Sequence, residues 1–241
     1  MGSLSATILV LIITSRDIVL AADSRKATLA QTGVKDIGVM DKIYQTNDYY
    51  YAVSGLDSSV DGSFSVQGII HNILEQFSDF DLAIREITVQ LSKALKAFFT
   101  SLKENSSAIF KHFQNNSASG GEIIIIKRVG AIPTAYLMDY RVIDGNSIKV
   151  VMNSWKTDCS KIKNTNECFW RAIGHTSFLT GNDISCEIIA AEPVVHAKQI
   201  IEEGIKRYPV FVSAPINILK MNGTGVKWIE KNATSPNRIR S

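Results

Sequence analysis

The chain lacks a strong charge of either sign: 26 basic against 23 acidic residues leave a net +3 over 241 residues. That excess is small and scattered, which argues against a nucleic-acid-binding surface. Cysteine is sparse. Three stand at 159, 168 and 186 with no Cys-x-x-Cys pair, which excludes a zinc knuckle or a dense disulfide scaffold. Cys159 and Cys168 flank a polar loop that a bridge could clip, and free thiols are the alternative. The four histidines, at 71, 112, 175 and 196, show no metal-ligand spacing, so neither a metal nor an organic cofactor is expected. No membrane span is expected either. The apolar run Thr7–Ile13 is far below the roughly 20 residues a spanning helix needs, and Ser15-Arg16-Asp17 follow at once. Internal repeats and linker-like stretches are missing, so one domain is the economical count.

What is present is an ordinary globular balance, 45% hydrophobic and 20% charged. Thr7–Thr14 and Ile18–Ala22 read as two β-branched, apolar strands around a polar turn. Their near-continuous hydrophobicity implies burial on both faces. A polar stretch, 24–41, reads as loop. A second hairpin follows, Lys42–Thr46 and Tyr49–Ser54, turning at Asn47-Asp48 and ending in Gly55. Val66–Phe77 and Asp81–Lys103 carry apolar residues at three- and four-residue steps and are predicted helices. The Asn- and Ser-rich segment 104–121 is predicted loop. Strands return at Glu122–Arg128, Thr134–Asp139 and Ile148–Met152. A helix over Pro193–Tyr208 and two strands, Ile216–Met221 and Val226–Glu230, close the order. Strands and helices in alternating runs point to a layered α+β architecture.

Several of these segments resemble a known family. Ile18-Val19-Leu20-Ala21-Ala22-Asp23-Ser24-Arg25 is similar to the second strand of proteasome α and β subunits. The interval from Thr7 to Asp23 matches that family's gap between nucleophilic threonine and aspartate. Asp41-Lys42-Ile43, then Ala52-Val53-Ser54-Gly55-Leu56, resembles its lysine-bearing strand and the glycine after the next strand, with a loop about three residues longer between Asp23 and Lys42. Trp170-Arg171-Ala172-Ile173-Gly174 is similar to a later strand. The similarity implies a proteasome-like N-terminal-nucleophile hydrolase: an α+β, four-layered αββα sandwich over residues 7–231, with 1–6 a leader or pro-segment and 232–241 a tail.

That resemblance implies a chemistry. A threonine hydroxyl needs a neighbouring base, and the α-amine of a first residue supplies one with a pKa near 8. Thr7 would be the nucleophile once cleavage before it frees the amine. Lys42 would be the cation beside it, Asp23 the partner of Lys42, the Gly55 N–H the oxyanion donor, and Arg25 a brace for the Asp23 loop. The active subunits of the family also carry an auxiliary Ser-Asp-Ser set. Here Gly174 is followed by His175, and Pro209 and Val212 stand at the other two places. His175 and Ser213 are the nearby candidates for that auxiliary role. The expected activity is hydrolysis of peptide or amide bonds by a homo-oligomer, with a ring as one form. The alternative is a non-catalytic subunit that acts through assembly. The compartment stays open: cytoplasmic, or exported after loss of a signal peptide.

Overall fold

The computed structural model describes residues 2–5, 8–30, 33–59, 62–115, 120–174, 176–179 and 185–231. Residues 2–5, 26–30, 33–37, 112 and 115 are described along the backbone alone. Two antiparallel sheets organise the chain. The smaller, five-stranded one starts from β2 (Ile8–Ile13) and β3 (Asp17–Ala22), the apolar hairpin expected from composition. On one side β2 pairs β11 (Phe169–Gly174). On the other, β3 pairs β12 (Asn217–Asn222), which turns back into β13 (Gly225–Glu230).

The larger sheet has eight strands. β10 (Lys149–Asp158), β9 (Ile132–Ile143), β8 (Gly120–Val129) and β7 (Tyr49–Ser59) follow one another, and β6 (Ile43–Thr46) pairs with β7. Beyond β7 lies β1 (Gly2–Ser5), and beyond that β4 (Arg25–Ala30) and β5 (Gly33–Val39). The N-terminal segment is therefore an inner strand, with Gly2 to Leu4 against Leu29 to Ala27 and Ser5 against Gly55.

β2 and β3 are buried on both faces, and their alternate residues serve two cores. Leu9, Leu11, Ile18 and Leu20 pack with Ala52, Ile124, Ile126 and Leu137 of the larger sheet. Ile8, Val10, Ile12, Val19 and Ala21 pack instead with Ala197, Ile200 and Ile201 of α5 (Pro193–Arg207). A third cluster joins Tyr51, Val53, Ile123 and Ile125 to α1 (Val66–Gln76), α2 (Phe80–Asn105) and α3 (Ser107–Asn115). Ser65 and Asp79 cap the first two helices, each accepting a backbone N–H from inside the first turn.

The four-layered αββα expectation is corrected here. The fold is α+β, but it is dominated by its two antiparallel sheets, with five α helices among the described residues. α4 (Cys186–Ala191) is only six residues long and runs almost directly into α5, so it does not supply a full helical partner. Stretches read as loop became regular structure. Residues 25–30 and 33–39 form the β4–β5 hairpin. Within 104–121, α3 places Phe110 and Phe113 against Phe99. Two phenylalanines at helical spacing, packed on Phe99 of α2, outweigh the surrounding Asn and Ser.

Cys168 and Cys186 form a disulfide that joins the approach to β11 with the start of α4. Cys159 is a buried free thiol. The Cys159–Cys168 pairing considered from the loop between them does not occur.

Candidate active site

Asp23 follows the last residue of β3, where two inward-facing apolar strands end beside the loop before β12. It is fully buried, so its carboxylate must be satisfied by protein groups. Oδ1 accepts the Lys42 ammonium at 2.9 Å and the Ile8 N–H at 2.9 Å. Oδ2 accepts the Arg25 N–H at 3.0 Å and the Ser213 N–H at 3.4 Å. Asp23 in turn donates its own N–H to the Ile8 carbonyl at 3.2 Å. One carboxylate thus gathers the start of β2, the end of β3, the start of β4, the approach to β6 and the approach to β12.

Lys42 is 1% exposed. Burial is the main influence on its ammonium and lowers its pKa to about 8, against the opposing pull of Asp23 and, more weakly, Asp57.

Beside this pair the Ser24 hydroxyl donates to the Pro215 carbonyl, and the buried Asn217 side chain donates to the Ser24 hydroxyl at 3.2 Å. The Arg25 guanidinium donates to the Pro209 carbonyl at 3.0 Å, which ties β4 to the segment leading to β12. Asn217 was not singled out in the sequence. A lone Asn in an apolar strand carries no local signal, and only its distance in space from Ser24 reveals it.

Gly55 lies in β7 between β1 and β8, with φ +101°. A Cβ there would stand 2.6 Å from the Gly120 carbonyl oxygen, so glycine is required both by conformation and by the neighbouring backbone. Ile43, next to Lys42, is the partner of Ala52, three residues before Gly55. The structure therefore brings Asp23, Lys42, Arg25 and Ser213 into one bonded cluster and sets Gly55 on the adjacent strand. Thr7 and His175 lie outside the described residues. Among the described residues no His, Cys, Asp and Glu group is arranged to hold a metal ion, and no helix is long and apolar enough to cross a membrane.

No family model matches the chain, and no curated protein does. Solved structures do. A Gly-1 mutant of Anbu from Hyphomicrobium sp. strain MC1 is 14% identical, with a TM-score of 0.51, covering 92% of this chain and 86% of that one. Anbu from the same organism in a second crystal form is 14% identical over 95% and 88%, at a TM-score of 0.49. Anbu from Yersinia bercovieri, described as an ancestral beta-subunit, is 11% identical over 93% and 88%, at 0.48.

At such identity the first of these shows a shared fold and nothing finer. Membership of the proteasome-like N-terminal-nucleophile hydrolases, implied by the resemblance, is corrected accordingly: what stands is a distant proteasome-like structural relationship. The motifs that carried the resemblance are short. Strands buried on both faces converge on the same β-branched residues in unrelated chains, so those positions discriminate poorly.

Proposed function

We propose that this protein is an amide-bond hydrolase in which Thr7, exposed by removal of the residues before it, is the nucleophile. The observation that carries the reading is the double use of Asp23 Oδ1, which holds both the Lys42 ammonium and the N–H of Ile8. Ile8 follows Thr7 directly, and adjacent Cα atoms are about 3.8 Å apart. Ile8, the residue that follows Thr7 in the chain, is thereby held at the same carboxylate oxygen as a buried cation.

In the reaction proposed, the Thr7 hydroxyl adds to the amide carbonyl and passes its proton to the free α-amine. Collapse of the tetrahedral intermediate expels the substrate amine, which takes up that proton, and leaves an ester on Thr7. Water then hydrolyses the ester and restores the hydroxyl. Lys42 stabilises the developing alkoxide, and Asp23 keeps Lys42 in place. The Gly55 N–H serves as donor to the oxyanion, while Arg25 braces the Asp23 loop through Pro209. Ser213, already bonded to Asp23 through its N–H, is the better supported of the two auxiliary candidates. We take residues 7–231 as the working domain, with 1–6 a pro-segment and 232–241 a tail.

One observation favours a second reading. With residues 2–5 in place, β1 fills the gap between β4 and β7, as expected of a chain that keeps its leader and acts by assembly. Intact-mass spectrometry and hydrolysis of a panel of fluorogenic peptide amides separate the two. The enzyme reading expects a chain beginning at Thr7 and activity abolished by Thr7→Ala. A chain that retains Met1–Ala6, gives equal rates with and without Thr7→Ala, and elutes as a multiple of 26.5 kDa would support assembly instead.

A further inference from the structure

The turn from β3 to β4 carries a buried serine that the mechanism above leaves without a task. Ser24 is fully buried, and each of its polar groups is engaged. Its N–H donates to the Ser213 carbonyl at 3.1 Å, and its carbonyl accepts the Met40 N–H at 2.8 Å. Its hydroxyl donates to the Pro215 carbonyl and accepts the Asn217 side-chain amide, the latter at 3.2 Å. A serine hydroxyl has one proton to give. With Asn217 donating to the oxygen, that proton is directed at Pro215.

These partners lie on the two segments that meet at Asp23. Met40 stands two residues before Lys42, whose ammonium rests on Oδ1 of Asp23. Ser213 gives its own N–H to Oδ2 at 3.4 Å. The approach to β12 is thus fastened beside Asp23 at two points, Ser213 by the Ser24 backbone and Pro215 by the Ser24 side chain. From Asn217 onward it is fixed by the ladder with β3, which begins at Ala22. Proline has no N–H, so the backbone at 215 can be hydrogen-bonded through its carbonyl alone. The Ser213 bond is the longest of the four that the Asp23 carboxylate accepts, and so the one most readily lost if its donor segment shifts. None of the Ser24 contacts uses residues 1–6, so removal of a pro-segment would take none of them away.

We propose that Ser24 is a positioning residue for the candidate site, its hydroxyl aimed by Asn217 at the Pro215 carbonyl so that the Ser213 N–H stays on Asp23. The proposal rests on the reading of Asp23 and Lys42 given above, but its first test is independent of hydrolysis. Amide hydrogen exchange is followed by NMR on the full chain, labelled uniformly with 15N and separately with 15N-serine. The Ser213 signal is the serine amide lost in Ser213→Ala. Ser24→Ala keeps both backbone bonds and removes the hydroxyl. It should speed exchange at Ser213 about fivefold, the loss expected for one hydrogen bond, while the amides of β8 change little. Ser24→Thr, which retains the donor, should exchange at Ser213 as the wild type does.

A folded Ser24→Ala whose Ser213 amide accelerates no more than the β8 amides overturns the proposal, as does a Ser24→Thr that matches the alanine variant. If Ser24→Ala does not fold, Ser24→Cys, close in size but a weaker donor, takes its place. Failure of both marks Ser24 as a folding residue alone and overturns the proposal. In a chain that hydrolyses peptide amides, Ser24→Ala should lower kcat by a similar factor with KM unchanged. A rise in KM with kcat unchanged would assign Ser24 to substrate binding instead and overturn it. Selective acceleration at Ser213 in a chain without amidase activity would keep the Ser24 assignment and reject the hydrolase.

Discussion

Lys42 and Cys159 are buried titratable groups whose effects on stability have opposite signs. Lys42 holds its proton less firmly when folded, with a pKa of about 8 against an ordinary 10.5. Between those values the unfolded chain binds more protons, so stability rises with pH. Cys159 is the reverse. Burial, helped by the charges of Asp17 and Asp158, raises its thiol from 9.0 to about 12, so the folded state keeps a proton that the unfolded chain releases. Its contribution is present below pH 9 and is lost as pH rises above 9. One proton of difference is worth about 1.4 kcal/mol per pH unit. Urea unfolding should therefore show a midpoint that climbs from pH 8 to 9 and flattens above 9. In Cys159→Ala the climb should continue toward pH 10, where the tyrosines begin to titrate in the unfolded chain. Parallel curves for the two proteins at every pH would contradict the assignment of Cys159.

Among the elements, α5 seats on β2 through a glycine. A Cβ on Gly204 would lie 2.1 Å from Cδ1 of Ile8, the residue whose N–H is held by Asp23. Glycine inside a helix costs about 1 kcal/mol relative to alanine, and overpacking a tight contact costs about 1–3 kcal/mol. In the wild-type background the second effect should cancel or exceed the first, so Gly204→Ala should not stabilise. Ile8→Val removes the clashing methyl, and on that background Gly204→Ala should recover up to about 1 kcal/mol of helix propensity. A denaturant double-mutant cycle reads this as a coupling of about 1 kcal/mol, and additive effects would refute the contact.

The elements also show what the sequence made legible. β2, β3, α1 and α2 stand close to where apolar periodicity places them, because their burial is written in their own residues. β1 was missed, since Gly-Ser-Leu-Ser has no apolar signature and becomes a strand only through partners at 27–29 and 55–59. α3 was missed because nine residues with Asn and Ser flanks read as loop until Phe99 is known to wait beside them. The number of layers was taken from the family resemblance, and element order alone gave only a layered α+β architecture. In the site, the spacing of Asp23 and Lys42 points to residues that the fold does bring together, whereas Asn217 depends on a contact nearly 200 positions away.

For the molecule as a whole, the two sheets are joined by shared apolar faces, and the Cys168–Cys186 bridge adds a covalent tie at the rim of the smaller one. The bridge spans 18 residues. Closing a loop of that size in the unfolded chain is worth about 3 kcal/mol. Cys168→Ser combined with Cys186→Ser should lose about that much stability in non-reducing buffer and should match the wild type once a thiol reductant is added. A deficit of the same size under reducing conditions would trace the loss to packing instead.

The inner position of β1 has a consequence for concentration. While residue 5 is joined through 6 and 7 to β2, the strand is tethered next to its place, and no realistic amount of a soluble competitor would displace it. A cut before Thr7 would leave every ladder hydrogen bond of β1 unchanged at that instant, yet would turn a permanent neighbour into a separate peptide. From then on its occupancy would obey dilution. The gap between β4 and β7 would open in a dilute solution and stay filled in a concentrated one, with no change in the folded chain itself.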